Sequence, residues 1–208
     1  MFPPISTNPE ERLPPLRRLD LRGVTPDTLF CDELPTSIEY LRLQGGPARH
    51  TAIDPPEKTL PNLHTLIFSD TGWVTDEILT LFLLDFQPPI RVLHLDQCFN
   101  VSWYNFLLIM ENEARNPELV KLTELSIAHM REANDNNARV LHKTFLDLKV
   151  LDMSYTGITG CTIRMFADAR ASGSAGVSRL DRLLVRGCEG VSSDAVAYGR
   201  EKGLEIVT

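Results

Sequence analysis

The sequence predicts an α/β solenoid. It should be a curved horseshoe with parallel strands on the concave face, helices or loops on the convex face, about seven repeats and a short terminal strand. Three observations predict it. A spaced triplet of apolar residues recurs seven times, prolines recur in phase just ahead of it, and helix-start residues follow it.

The reference unit is Ile90–Ser102, IRVLHLDQCFNVS, with Ile90, Leu93 and Leu95 apolar, Cys98 three places on, then Val101 and a serine. This is the order L-x-x-L-x-L-x-x-N/C, the leucine-rich repeat pattern. Leu93 and Leu95 alternate, so they share one face of a short strand, and Val92, His94 and Asp96 share the other. One unit cannot bury its apolar face; stacked copies can.

Six further copies follow the template: Leu16–Leu19–Leu21, Ile38–Leu41–Leu43, Leu63–Leu66–Phe68, Leu122–Leu125–Ile127, Leu148–Leu151–Met153 and Leu180–Leu183–Val185. Their central positions, 19, 41, 66, 93, 125, 151 and 183, are 22, 25, 27, 32, 26 and 32 residues apart, the longest intervals implying insertions on loops. Residues 1–15 hold Pro3, Pro4, Pro9, Pro14 and Pro15 and read as a proline-rich tail; residues 16–208 read as one repeat domain. Pro15, Pro35, Pro61 and Pro88–Pro89 precede strands, where proline ends a helix and biases the chain to extended geometry.

Helix starts are expected at Val74-Thr75-Asp76-Glu77 before ILTLFLL, at Val101-Ser102 before WYNFLLIMENEAR, at Ile158-Thr159 before GCTIRMFADAR, and at Val191-Ser192-Ser193-Asp194 before AVAYGREKG. Trp103, Phe106, Leu107 and Met110, and then Ile163, Phe166 and Ala167, are spaced as core-facing helical stripes. Ile78–Phe86 is apolar nearly all round, which leaves open an exposed patch there. Gly45–Thr59, Met130–Asn137 and Ala171–Ser178 break the period and are expected as loops, and Leu204–Thr208 as a closing strand.

Composition narrows the function classes. The net charge is −7 and the pI about 5.2, which argues against non-specific nucleic-acid binding. No apolar run reaches the roughly 18 residues of a membrane span, and the N-terminus lacks the order of a secretion signal, so the cytoplasm or nucleus is expected. Cys98 and Cys188 fall in the same slot of repeats four and seven, with Thr71 and Thr156 in that slot of repeats three and six. Three rungs at ~4.8 Å separate the two cysteines by roughly 14 Å, beyond disulfide reach. Small buried side chains are expected, and no ligand spacing for a metal is present.

CFNVSWYNFLLIM and CEGVSSDAVAYG resemble the cysteine-containing subtype of leucine-rich repeat, L-x-x-L-x-L-x-x-C-x-x-(I/V)-(T/S)-D-x-x-(I/L). TGWVTDEIL and TGITGCTI resemble it with Thr in place of Cys. Such arrays are common in F-box proteins, where they form the substrate-binding horseshoe of a ubiquitin ligase. The resemblance covers residues 16–208 and implies a protein-binding role. An F-box is not recognisable ahead of the repeats, so contact with ligase core subunits would run through a segment outside this chain, or the array serves another assembly as a scaffold.

Alternation lists the concave face: Arg18, Asp20, Arg22; Tyr40, Arg42, Gln44; Thr65, Ile67, Ser69; Val92, His94, Asp96; Glu124, Ser126, Ala128; Val150, Asp152, Ser154; Arg182, Leu184, Arg186. Of these, Arg18, Arg22, Tyr40, Arg42, Ile67, His94, Asp96, Asp152, Arg182 and Arg186 are the candidate protein contacts, since aromatic and arginine side chains dominate recognition surfaces. The competing reading is a solvated sheet face. Catalysis is not expected: His94 and Asp96 share a face, with Ser126 or Asp152 across the rungs, but no nucleophile motif is present and no cofactor is implied. A GTPase-activating array would need a loop arginine, for which Arg49 is the only early candidate.

Overall fold

A computed structural model describes residues 14–23, 33–46, 58–110, 118–173 and 176–208. The tail up to residue 13, Cys31, Arg49 and most of Gly45–Thr59 lie outside the described residues. Eight strands form one parallel sheet in sequence order: β1 Arg18–Arg22, β2 Tyr40–Gln44, β3 Thr65–Ser69, β4 Val92–Asp96, β5 Glu124–Ser126, β6 Val150–Asp152, β7 Arg182–Leu184 and β8 Glu205–Val207. The chain is a leucine-rich repeat solenoid.

The register is the one the leucines require. Leu19, Leu41, Leu66, Leu93, Leu125, Leu151, Leu183 and Ile206 lie opposite one another from rung to rung. From Leu41 to Leu183 that row is fully buried, and so is the row from Ile38 and Leu63 to Leu148 and Leu180. The third row, Leu43, Phe68, Leu95, Ile127, Met153 and Val185, completes a core of stacked layers.

Among the described residues, five α-helices back the later repeats: α1 Asp76–Thr80, α2 Trp103–Met110, α3 Asp135–Thr144, α4 Gly160–Ser172 and α5 Ser193–Glu201. Thr75, Thr159 and Ser192 cap α1, α4 and α5 as their positions predict. Strands stack at about 4.8 Å whereas packed helices need about 8–10 Å, so the helix side takes the longer arc and the strands the inner one.

Two expectations are corrected. Ile78–Phe86 presents no exposed patch: Ile78, Leu79, Leu81, Phe82, Leu83, Leu84 and Phe86 are all buried. The helix widens into a π-turn over Leu81–Asp85, and Phe82 packs edge-on against Phe68 at 5.3 Å, so both sides of the segment meet core. Met130–Asn137 is not an insertion either. Met130 occupies the cysteine slot, Ala133 the valine slot, and Asn134 caps α3 with a complete capping box, so repeat five is in phase.

The turn after each strand also repeats. The fourth residue past the central leucine takes positive φ in all seven units: Gly23, Gly45, Asp70, Gln97, His129, Tyr155 and Gly187. From Gly23 to Tyr155, each of these N–H groups donates to a carbonyl of the next rung, at 2.7 to 3.1 Å. The left-handed bend is therefore where the ladder hands over from strand to turn. At Gly187 a side chain would overlap the Tyr155 ring, so glycine is required there for space as well as conformation.

Candidate functional site

The slot residues show why the repeat prefers cysteine and threonine. The Cys98 thiol donates to Phe68 O at 3.7 Å and the Cys188 thiol to Met153 O at 3.1 Å, each reaching the preceding rung. Thr71 Oγ1 lies 3.1 Å from Cys98 Sγ, and the Thr156 hydroxyl donates to Met153 O at 2.6 Å. Burial pushes the Cys98 thiol up to about 12, which keeps it protonated as a donor and inert as a nucleophile or metal ligand. Cys98 and Cys188 are buried, unpaired thiols.

A second relay runs along the helix starts. The Asp76 carboxylate accepts from the Ser102 backbone at 2.9 Å and the Ser102 hydroxyl at 3.1 Å. Two repeats on, Asp135 accepts from Thr159 N at 2.8 Å, the Thr159 hydroxyl at 2.7 Å and the Thr162 hydroxyl at 2.6 Å. Partial burial alone would raise the Asp135 pKa, but these hydrogen bonds outweigh it and hold the carboxyl below its usual range. The cap-and-Asp pair, Thr75-Asp76 or Asn134-Asp135, thus caps one helix and clasps the next. His142, buried under Phe166 with Nδ1 at 3.0 Å from Ser178 Oγ, has its pKa lowered by that burial and belongs to the packing between α3 and the loop beyond α4.

With the core and turns accounted for, the strand face remains open. Its rungs align in rows: Arg18, Tyr40, Thr65, Val92, Glu124, Val150 and Arg182 in the first, then Asp20, Arg42, Ile67, His94, Ser126, Asp152 and Leu184 in the second. Arg22, Gln44, Ser69 and Asp96 form the third. Arg186 lies just past β7 in the turn, exposed. Ser126 sits in the second row but is buried, and Ala128 and Ser154, just past the ends of β5 and β6, are buried too.

The early rungs are basic and organised. The Arg18 guanidinium stacks 3.7 Å from the Tyr40 ring centre. Arg42 donates from Nη2 to Gln44 Oε1 at 3.0 Å and lies 4.0 Å from Asp20, which also pairs with Arg22 at 3.7 Å. The middle rungs are acidic. His94 Nε2 meets Glu124 Oε1 at 2.8 Å, and its Nδ1 is 4.0 Å from Asp96, which accepts from the Ser126 hydroxyl. Burial, reinforced by the nearby Asp152 charge, raises the Asp96 pKa despite the lowering influence of Ser126 and His94. At the far end Arg182 pairs with Glu205 at 2.9 Å.

The structure therefore brings Arg18, Arg22, Tyr40, Arg42, Ile67, His94, Asp96, Asp152 and Arg182 onto one surface. His94 has carboxylates on both sides, and the Ser126 hydroxyl is turned to Asp96, so these side chains form one hydrogen-bonded cluster. No group of three His, Cys, Asp or Glu residues among the described ones is arranged to hold a metal, and no helix among them is long and apolar enough to cross a membrane.

Alternation along strands misses what stands on the turn edge. His129 and Tyr155 stack at 4.2 Å and 11° on adjacent left-handed turns, and Phe99 is 59% exposed beside Arg131. The available signal was glycine at positions 23, 45 and 187, which marks the same offset from the central leucine.

No protein-family model matches the chain, and no curated protein matches it. Among solved structures it is similar to a chain in the crystal structure of the Rad7 and Elc1 complex in yeast, with 15% identity and a TM-score of 0.48. The match covers 82% of this chain and 42% of that one, so the chain spans less than half of its neighbour's length. What the face recognises is accordingly read from this chain's own residues.

Proposed function

We propose that residues 16–208 form one protein-recognition domain, without enzymatic activity, that binds a protein partner through the strand face. Within that role, the array is read as the substrate-binding part of an F-box-type ubiquitin ligase receptor acting in the cytoplasm or nucleus. The single observation supporting recognition is the cluster over β1 and β2. A tyrosine face capped by Arg18 and an Arg42 braced by Asp20 and Gln44 form a preorganised aromatic–arginine surface of the kind that anchors protein interfaces. The ligase assignment is supported by the likeness of the repeat units to the cysteine-containing subtype.

A second reading, a scaffold held in a stable assembly, is favoured by the first rung. Leu16 is 47% exposed, and Leu19 and Leu21 are half-buried, as at an array end that a partner covers.

The test is an affinity pull-down of the chain and its Tyr40→Ala/Arg42→Ala variant, compared by quantitative mass spectrometry. Truncating anchors of this type weakens binding by about 2 kcal/mol or more, roughly thirtyfold. A partner lost from the variant while the melting curve is unchanged supports recognition by this face. Ligase subunits in that set support the receptor reading, and a defined complex without them supports the scaffold. A partner set identical for both proteins overturns the proposal.

A further inference from the structure

The sign of the strand face changes along the array. Over β1 and β2, Arg18, Arg22 and Arg42 outnumber Asp20. β3 contributes only the uncharged Thr65, Ile67 and Ser69. Over β4 to β6, Asp96, Glu124 and Asp152 outnumber the single His94. Beyond them Arg182 is already paired with Glu205, which closes the acidic zone. At ~4.8 Å per strand, the centre of the basic zone and that of the acidic zone are roughly 17 Å apart.

An inner, concave surface accepts a convex partner, which excludes the same face of a second copy and suits an α-helix about 10–12 Å wide. Roughly 17 Å is about 11 residues of helix, and 11 residues return to nearly the same side of it. A helix with carboxylates at one end, an apolar residue midway and cations about 11 residues from the carboxylates would present all three to one surface.

We infer that the face takes an α-helical segment of a partner protein laid across the strands, its acidic end on β1–β2, its basic end on β4–β6 and an apolar side chain on Ile67. The inference rests on the proposal that this face binds protein, and it specifies the partner's chemistry. Charge complementarity of this kind sets orientation and rejects wrong partners.

The probe is a stapled helical peptide of about 18 residues with glutamates in the first two turns, leucine midway and lysines in the last two. Its binding to the full chain is read by fluorescence anisotropy beside a scrambled peptide of the same composition. The patterned peptide is expected to bind at least about tenfold tighter, the advantage shrinking as salt rises.

Arg18→Glu with Arg42→Glu should lose about tenfold, as should Glu124→Lys with Asp152→Lys. All four together should restore binding, because the helix can turn end for end. Circular dichroism melts check each variant, and the milder Glu124→Gln with Asp152→Asn should show a graded loss. Equal binding of the scrambled peptide, indifference to a one-sided reversal, or no recovery on reversing both zones overturns the inference. If that happens while Tyr40→Ala/Arg42→Ala still loses its cellular partner, the helical ligand is wrong and recognition by this face stands. If neither behaves as expected, both fall.

Discussion

The two ends of the array are finished differently. At the C-terminal end, Ile206 is 3% exposed because α5 folds back over β8: Gly199 sits against Ile206 and Ile163, and the Arg200 guanidinium donates to Ile206 O at 2.8 Å. At the N-terminal end, the equivalent Leu19 is only half-buried and Leu16 is largely exposed. Both rungs carry an apolar central residue and the same parallel pairing. The pattern fixes where a side chain points; what packs on either side of the rung decides whether it is dry. Stability should accordingly rise from the first rung toward the middle and hold to the last.

The largest expected effect is in the centre. Leu93→Ala should destabilise by about 2–5 kcal/mol, as truncation of a fully buried leucine does, whereas Leu19→Ala should lose less than half as much. Urea denaturation of both variants measures the contrast, and equal losses would mean the first rung is as well covered as the fourth.

A smaller effect is expected at the closed end. A Cβ at Gly199 would overlap Ile206 Cδ1 and Ile163 Cγ2, so Gly199→Ala should destabilise by about 1–3 kcal/mol through overpacking. Thermal melts with hydrogen exchange at β8 should show the loss concentrated there, and a neutral or stabilised variant would refute the tight closure.

The smallest expected effect is pH-dependent. Asp135 is held below its usual pKa, so its stabilising contribution is present above about pH 4, the unfolded value, and is lost as pH falls through the lower folded pKa. Asp135→Asn should therefore flatten the acid limb of the stability curve and lower stability at neutral pH. Parallel curves for the two proteins would mean that the clasp between repeats adds nothing.

Most of the fold is legible in the sequence because a single side-chain period, an apolar residue at positions 0 and +2 of each of the seven repeats, sets burial, register and rung order together. The strand-borne rows followed from that alternation, including Arg42 across from Asp20 and Ser126 across from His94, but the diagonal His94–Glu124 contact did not. Less legible was anything held by one residue's backbone. The left-handed position is filled by Gly, Asp, Gln, His or Tyr, because hydrogen bonds from the next rung impose the conformation whatever the side chain. The His129–Tyr155 stack was hidden for the same reason. Met130 breaks the cysteine motif, and only the Asn134-Asp135 pair, matching Thr75-Asp76, signals that repeat five is in phase. The π-turn at Leu81–Asp85 leaves no mark in a run that is apolar on every side.

The Asp76 and Asp135 clasps bear on how the chain finds its register. Leucines alone cannot tell one repeat from another, and a strand docked one unit early would bury an equivalent row. Asp76 is matched by Ser102 and Asn105, and Asp135 by Thr159 and Thr162, so each acid has its own set of donors. The carboxylates thus add, at two joints of the stack, a polar match that the leucine rows lack.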